Sequence, residues 1–497
     1  MRYRIAATSA VAVLGLGILG AISGPTWDPV PMTEHIDVTT PDTRIGGAQG
    51  ADPVGSYEVA TSIVTVELAG ARVEARVSEP LGAEGLRPGM VFVHGAGTGR
   101  YEDAFVAQAE ALASSGVVAM VPNKRLDTYT TRNRSYTAMA NDYLRSVEVL
   151  RSLPGVDPDR VGVYGESEGA WVVPVMAADN PSVAFTVLVA APVVPPRQQI
   201  AFAVDSYLRN TGVPVEILRA VPRFAGMEFP GGGFDYLDFD AQPFQQRLRQ
   251  PLLIVFGTGD VAMPTVQGAL KVIDDLAVAG NADWTVRYYE GADHGIRIGG
   301  QLVPEFARDL SAWIQGLPGS ASAEPRVAGA EPYQRFLAAP VERPRWFAEG
   351  DMLFAALGAA LLALLVGPIL WVFRRLRGRR QAALVPDVRA PLAVTTVGAT
   401  LSLIMMVTYL GVVANLAQNY RTSPVLVQGG WVLVRLLAWT SVVAGTVLVF
   451  RILDGRRRGA VPAARSAAGA WTLASTVGSS VLMLLVLAYF GVFPTLW

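Results

Sequence analysis

The sequence predicts a layered α/β domain, in which helices cover both faces of a mostly parallel central sheet, followed by an all-α transmembrane bundle of four helices. Two observations carry this. Short, uniformly apolar runs alternate with helix-patterned segments between residues 57 and 318, which is how strands buried on both faces read. Hydrophobic residues make up 51% of the chain and charged residues 17%, and the apolar excess is concentrated after about residue 350. At 497 residues the chain is too long for one ordinary core, so two or more domains are expected.

Taken in order, Arg2 and Arg4 precede an uncharged, mostly apolar run from Ile5 to Ile22. Residues 1–23 therefore read as a signal peptide or an uncleaved signal anchor, with Ala21 and Ser23 spaced for cleavage before Gly24. Residues 24–56, rich in Pro, Gly, Thr and Asp, read as an extended tether. Ser62–Leu68 and Ala71–Val77 alternate about an Ala-Gly pair and predict a β-hairpin. Buried strands follow at Met90–Val93, Val117–Val121, Val161–Tyr164, Phe185–Ala190, Leu252–Phe256 and Trp284–Tyr289. Helices are expected at Asp103–Ser114, Ala138–Ser152 and Glu168–Ala178.

Between about 194 and 248 the strand rhythm stops. This interval holds helical pieces at Ile200–Leu208 and Val215–Val221 and a turn at Pro230–Gly233. Structureless connections of that length are uncommon, so it is expected to be a cap insertion. Residues 319–349, rich in Pro, Ala, Gly and Ser, read as a linker.

Residues 350–497 hold four apolar stretches, Met352–Phe373, Ala390–Ala414, Trp431–Phe450 and Trp471–Phe490. Each is close to the ~20 residues that cross ~30 Å of hydrocarbon. Arg374, Arg375, Arg377, Arg379, Arg380 and Arg389 separate the first two; Arg451, Arg456, Arg457, Arg458 and Arg465 separate the last two. Arg421 alone lies between the second and third. The positive-inside rule then puts the α/β domain outside the cytoplasm, in agreement with the N-terminal export signal. The spans hold few ionisable groups, Arg435 being the exception. They read as an anchor, or as a lipid-binding or transport module serving the α/β domain. A net charge of −1 gives no reason to expect nucleic acid. The absence of cysteine excludes disulfides, thiolate metal sites and a cysteine nucleophile.

The chemistry is carried by Gly165-Glu166-Ser167-Glu168-Gly169, set between a strand and a helix. A serine in G-x-S-x-G at such a turn stands in strained backbone at the top of a sheet. Its hydroxyl needs a base. Of three histidines, His35 lies in the tether, and His94 ends a strand in a His-Gly-Ala-Gly turn that it is expected to hold. His294, in a Gly-flanked loop after the last expected strand, is the candidate base. Asp260 ends a strand within Gly-Thr-Gly-Asp and is the candidate acid that orients it. Asp293 is next to His294, but neighbouring side chains in an extended loop point apart. Glu166 and Glu168 are expected to line the pocket or support a loop. The oxyanion hole is assigned to the backbone N–H groups of Glu168 and Ala96.

With these residues in view, the chain resembles the α/β-hydrolases, near the esterase, dienelactone-hydrolase and prolyl-oligopeptidase-like branches. His94–Gly97, Gly165–Ala170, Gly257–Asp260 and Asp293–Gly295 carry the likeness, which covers about residues 57–318. Val156–Tyr164 resembles the helix-to-strand lead-in of those esterases, and Ser, Asp, His is their chain order. Pro122-Asn123-Lys124-Arg125 departs from the pattern, with Asn123 and Leu126 where many relatives have an acid and a glycine. The resemblance implies acyl transfer to water through an acyl-enzyme on Ser167, on a small-molecule or lipid ester, with no metal or cofactor. A serine peptidase is the alternative, although no propeller-sized domain precedes this one. A non-catalytic sensor or scaffold coupled to the membrane region is the other alternative.

Overall fold

The computed structural model describes residues 2–97, 99–228, 234–379, 383–419, 421–459 and 462–495. The expected turn at Pro230–Gly233 lies outside them. The chain divides into two compact units. One comprises Pro29–Ala203 and Phe234–Pro340; the other comprises Met1–Asp28, Val204–Gly233 and Val341–Trp497.

The first unit is built on a nine-stranded sheet. Its strands are β1 (Val59–Leu68), β2 (Ala71–Pro80), β3 (Arg87–Val93), β4 (Val118–Pro122), β5 (Val156–Glu166), β6 (Thr186–Val189), β7 (Leu252–Gly257), β8 (Trp284–Tyr289) and β9 (Val327–Gly329), in the spatial order β1-β2-β4-β3-β5-β6-β7-β8-β9. β2 runs antiparallel to both its neighbours, and every other pairing is parallel. The Ala69-Gly70 turn allows β2 to fold straight back on β1, whereas each later parallel step needs a crossover, and most of these carry helices. β4, β6 and β7 are buried along their whole length, because helices cover both faces.

Two segments that read as flexible pack into this unit. Residues 29–56 do not hang free. Thr39 N–H donates to Val327 O, Gly329 N–H donates to Thr40 O, and the buried Arg287 guanidinium donates to Thr43 O and Arg44 O. Within 319–349, the stretch Val327–Gly329 becomes the edge strand β9. Both segments are polar or Pro-rich, so hydrophobic periodicity does not mark them. Backbone hydrogen bonds along a sheet edge order them instead.

The 194–248 interval is helical, with segments Pro196–Asn210, Val215–Leu218, Ala220–Ala225 and Gln242–Gln245. Residues 204–233 of it group with the second unit. That unit contains helices Arg2–Ile22, Gly350–Leu376, Pro386–Gln418, Gly430–Arg457 and Ala467–Tyr489. Among the described residues, five helices are long and apolar enough to cross a membrane, four of them C-terminal.

Candidate active site

Ser167 occupies the tight turn between β5 and the helix Gly169–Ala177, with φ of +56°. A left-handed non-glycine residue costs about 1–2 kcal/mol and persists only where its surroundings hold it. Here Ser167 N–H donates to Val189 O of β6 at 3.0 Å. The flanking glycines make the turn sterically feasible. A Cβ at Gly165 would press on the Gly169 carbonyl and Val173, and one at Gly169 would overlap the Val93 carbonyl.

The loop after β3 passes directly beside this turn. A Cβ placed on Gly95 would lie 3.2 Å from the Ser167 Cβ. Among the described residues, neither the Ala96 nor the Glu168 N–H donates to a backbone carbonyl. His94 is fully buried; its Nε2 donates to Pro122 O at 2.7 Å, and Tyr143 Oη accepts from its N–H. Burial pushes its pKa down to about 4, so the ring is neutral and holds the loop.

Asp260 follows β7, and its side chain is fully buried. Its Oδ1 accepts from Ala262 N–H at 2.9 Å, and its Oδ2 accepts from His294 Nδ1 at 2.7 Å. Two residues 34 positions apart are thus brought together, and in the neutral ring this bond leaves Nε2 of His294 with the lone pair. The His294 loop is shaped by Asp293, whose Oδ1 accepts from Gly295 N–H and Arg297 N–H. Asp293 therefore builds the turn and does not hold the imidazole. Ile296 at φ +55° is a strained β-branched residue in the same loop.

Burial disfavours the imidazolium of His294, but the Asp260 carboxylate and its hydrogen bond outweigh that, with Glu166 and Asp293 adding. The net effect pushes its pKa up to about 9. Burial raises the pKa of Glu166, which bonds Tyr164 Oη at 3.0 Å and lies within electrostatic range of His294. The structure brings Asp260 and His294 together, and among the described residues no hydrogen bond joins Ser167 Oγ to His294. His35 is exposed beside Asp37.

One part of the site was not foreseen from the sequence. The Glu168 carboxylate, 2% exposed, accepts from Lys124 Nζ, Tyr129 Oη, Arg134 Nη1 and Tyr136 Oη. The only sequence signals for it were the departure at Asn123-Lys124-Arg125 and a carboxylate flanking the serine. No three His, Asp or Glu side chains come together to hold a metal ion among the described residues.

Pro29–Ala203 with Phe234–Pro340 is an α/β-hydrolase domain, and residues 143–300 match the family model "BAAT / Acyl-CoA thioester hydrolase C terminal". A comparison with curated proteins gives no significant match. Among solved structures, the chain is similar to a hyperthermophilic esterase from Pyrobaculum calidifontis, with 20% identity, TM-score 0.40, and coverage of 55% of this chain and 86% of that one. It is similar to a dienelactone hydrolase from Anabaena variabilis, with 16% identity, TM-score 0.35, and coverage of 52% and 97%. A third is a puromycin-hydrolysing peptidase from Mycobacterium tuberculosis, with 20% identity, TM-score 0.38, and coverage of 57% and 42%. The chain spans less than half the length of that peptidase.

Proposed function

We propose that the α/β unit is a serine hydrolase of carboxylic esters, held at the membrane by the C-terminal helices. The observation that carries the reading is the Asp260–His294 hydrogen bond at 2.7 Å, in a domain whose serine stands on a left-handed elbow. Ser167 Oγ attacks the ester carbonyl while His294 Nε2 takes its proton. The N–H groups of Ala96 and Glu168 receive the developing oxyanion. His294 then protonates the departing alcohol, leaving an acyl group on Ser167. Water, deprotonated by the same imidazole, attacks that acyl group and releases the acid.

Fluorophosphonate should label the wild-type chain, and Ser167→Ala should abolish labelling. Equal labelling of both would end the nucleophile assignment. A second reading, hydrolysis of acyl thioesters, is favoured by the family model over residues 143–300. Rates on paired oxygen esters and thioesters of one acyl chain separate the two. The arginine clusters at 374–389 and 451–465 support an extracytoplasmic catalytic domain.

A further inference from the structure

We infer that Lys124 is a positioning residue that sets both backbone donors of the oxyanion hole. The inference rests on the serine-hydrolase reading above. Lys124 is 4% exposed, and its Nζ donates to two acceptors, Gly95 O at 2.7 Å and Glu168 Oε2 at 3.1 Å. The Gly95 carbonyl belongs to the same planar peptide as the Ala96 N–H, and in a trans peptide the two point in opposite directions. Holding the oxygen of that plane therefore aims its N–H. Glu168 carries the second donor on its own backbone. One ammonium thus ties the peptide behind the first donor to the side chain of the residue that supplies the second.

Pairing the buried carboxylate does not by itself require this lysine. Glu168 Oε1 already takes Arg134 Nη1 at 2.6 Å, and its Oε2 takes Tyr129 Oη at 2.7 Å. Burying an ammonium costs several kcal/mol unless its partners return it. What Lys124 adds beyond Arg134 and Tyr129 is the bond to Gly95 O. The cluster sets two cations, Lys124 and Arg134, against the one Glu168 carboxylate.

The test uses the full-length chain and a fluorophosphonate. In that reaction Ser167 Oγ bonds to phosphorus, fluoride leaves, and the hydroxyl proton passes to His294. Removing one oxyanion donor costs ~10²–10³ in rate, and a misaimed donor costs less. Lys124→Met should slow labelling about 10–100-fold while reversible probe affinity changes less than about threefold. Lys124→Arg should recover much of the rate. Tyr129→Phe, which loses one Glu168 partner but leaves the bond to Gly95 O, should lose less rate than Lys124→Met. If Lys124→Met does not fold, Lys124→Gln replaces it, with the same slowing expected. Wild-type labelling speed in the folded Lys124 variant overturns the proposal, as does an equal loss in Tyr129→Phe. A wild-type chain that takes no probe overturns the nucleophile reading and this proposal together.

A separate observation bears on the N-terminus. We propose that Arg2–Ile22 is retained as a fifth membrane helix and is not removed as a leader. Arg223 is 1% exposed, and its guanidinium donates to Ala21 O, Pro25 O and Tyr489 O. Ala21 and Tyr489 lie in the last turns of two helices, where carbonyls lack intrahelical partners and the dipole favours a cation. Cleavage before Gly24 would detach Ala21 from this buried charge. The fit extends down the helix, where a Cβ at Gly17 would overlap the Pro494 carbonyl and one at Gly20 the Ala488 carbonyl. Intact mass of C-terminally tagged protein purified from native membranes should include residues 5–23. A mass lacking residues 1–23 overturns the proposal. Gly20→Leu should lower the unfolding temperature of the retained form by several degrees, and an unchanged temperature also counts against it.

Discussion

Replacing Asp260 by Asn changes one atom of the carboxylate that His294 faces, and the structure sets the size of the effect. His294 is pushed up to about 9 from an ordinary 6.5. At 1.36 kcal/mol per pH unit, that difference corresponds to about 3 kcal/mol favouring the imidazolium. The ring is 32% exposed, so solvent screens part of the attraction, and about 2 kcal/mol is the working figure. As base, His294 must be neutral. The wild-type labelling rate should therefore climb with pH and level off above about 9. In Asp260→Asn the burial that opposes charge is no longer outweighed. Glu166 and Asp293 remain nearby, as does Arg297, and the midpoint should fall by about 1.5 units or more. The plateau should drop ~10²–10⁴-fold, because the amide no longer stabilises the imidazolium or the correct tautomer.

Stability runs the other way. A folded-state pKa above the unfolded one contributes stability that is complete below about pH 6.5 and is lost as pH rises through about 9. The wild type should thus lose about 2 kcal/mol across that window, and the variant much less. Stopped-time labelling between pH 5.5 and 10, with urea unfolding at both ends, measures both quantities. A midpoint that moves by less than half a unit in Asp260→Asn would refute the assignment of this pair.

Three further outcomes are expected. His294→Ala should lose labelling by at least ~10³-fold, whereas His94→Gln, at a neutral ring that holds a loop, should keep activity within about tenfold. Gly169→Val forces a side chain onto the Val93 carbonyl and should destabilise the α/β unit by about 2–3 kcal/mol in denaturant unfolding. The chain has no cysteine, so single substitutions report topology without background. A membrane-impermeant maleimide should reach Ser56→Cys on intact cells, and Pro462→Cys only after permeabilisation.

Strands with strong periodicity were legible to within a few residues. The expected run Leu252–Phe256 is β7 almost unchanged, and Trp284–Tyr289 is β8. The four long apolar C-terminal helices were legible in number but run longer at their ends than the apolar stretches. Gly350–Leu376, for example, extends beyond 352–373 and takes in Arg374 and Arg375. Hydropathy reports the hydrocarbon thickness, while hydrogen bonding continues a helix into the headgroup region. β9 was not legible, because Val327-Ala328-Gly329 becomes a strand through the β8 edge it pairs with.

At the site, the sequence supplied residue types and their order. Ser167 was marked by two glycines and a strand-helix junction, and His294 by the scarcity of histidine. Those signals are local, and local chemistry can be read from neighbours in the chain. The contact between Asp260 and His294, and the gathering of Lys124, Tyr129, Arg134 and Tyr136 around Glu168, belong to the tertiary structure alone. Buried charge is tolerated only where partners from distant segments surround it. No window of the sequence contains those partners, so only the folded sheet and its loops decide which lysine meets which carboxylate.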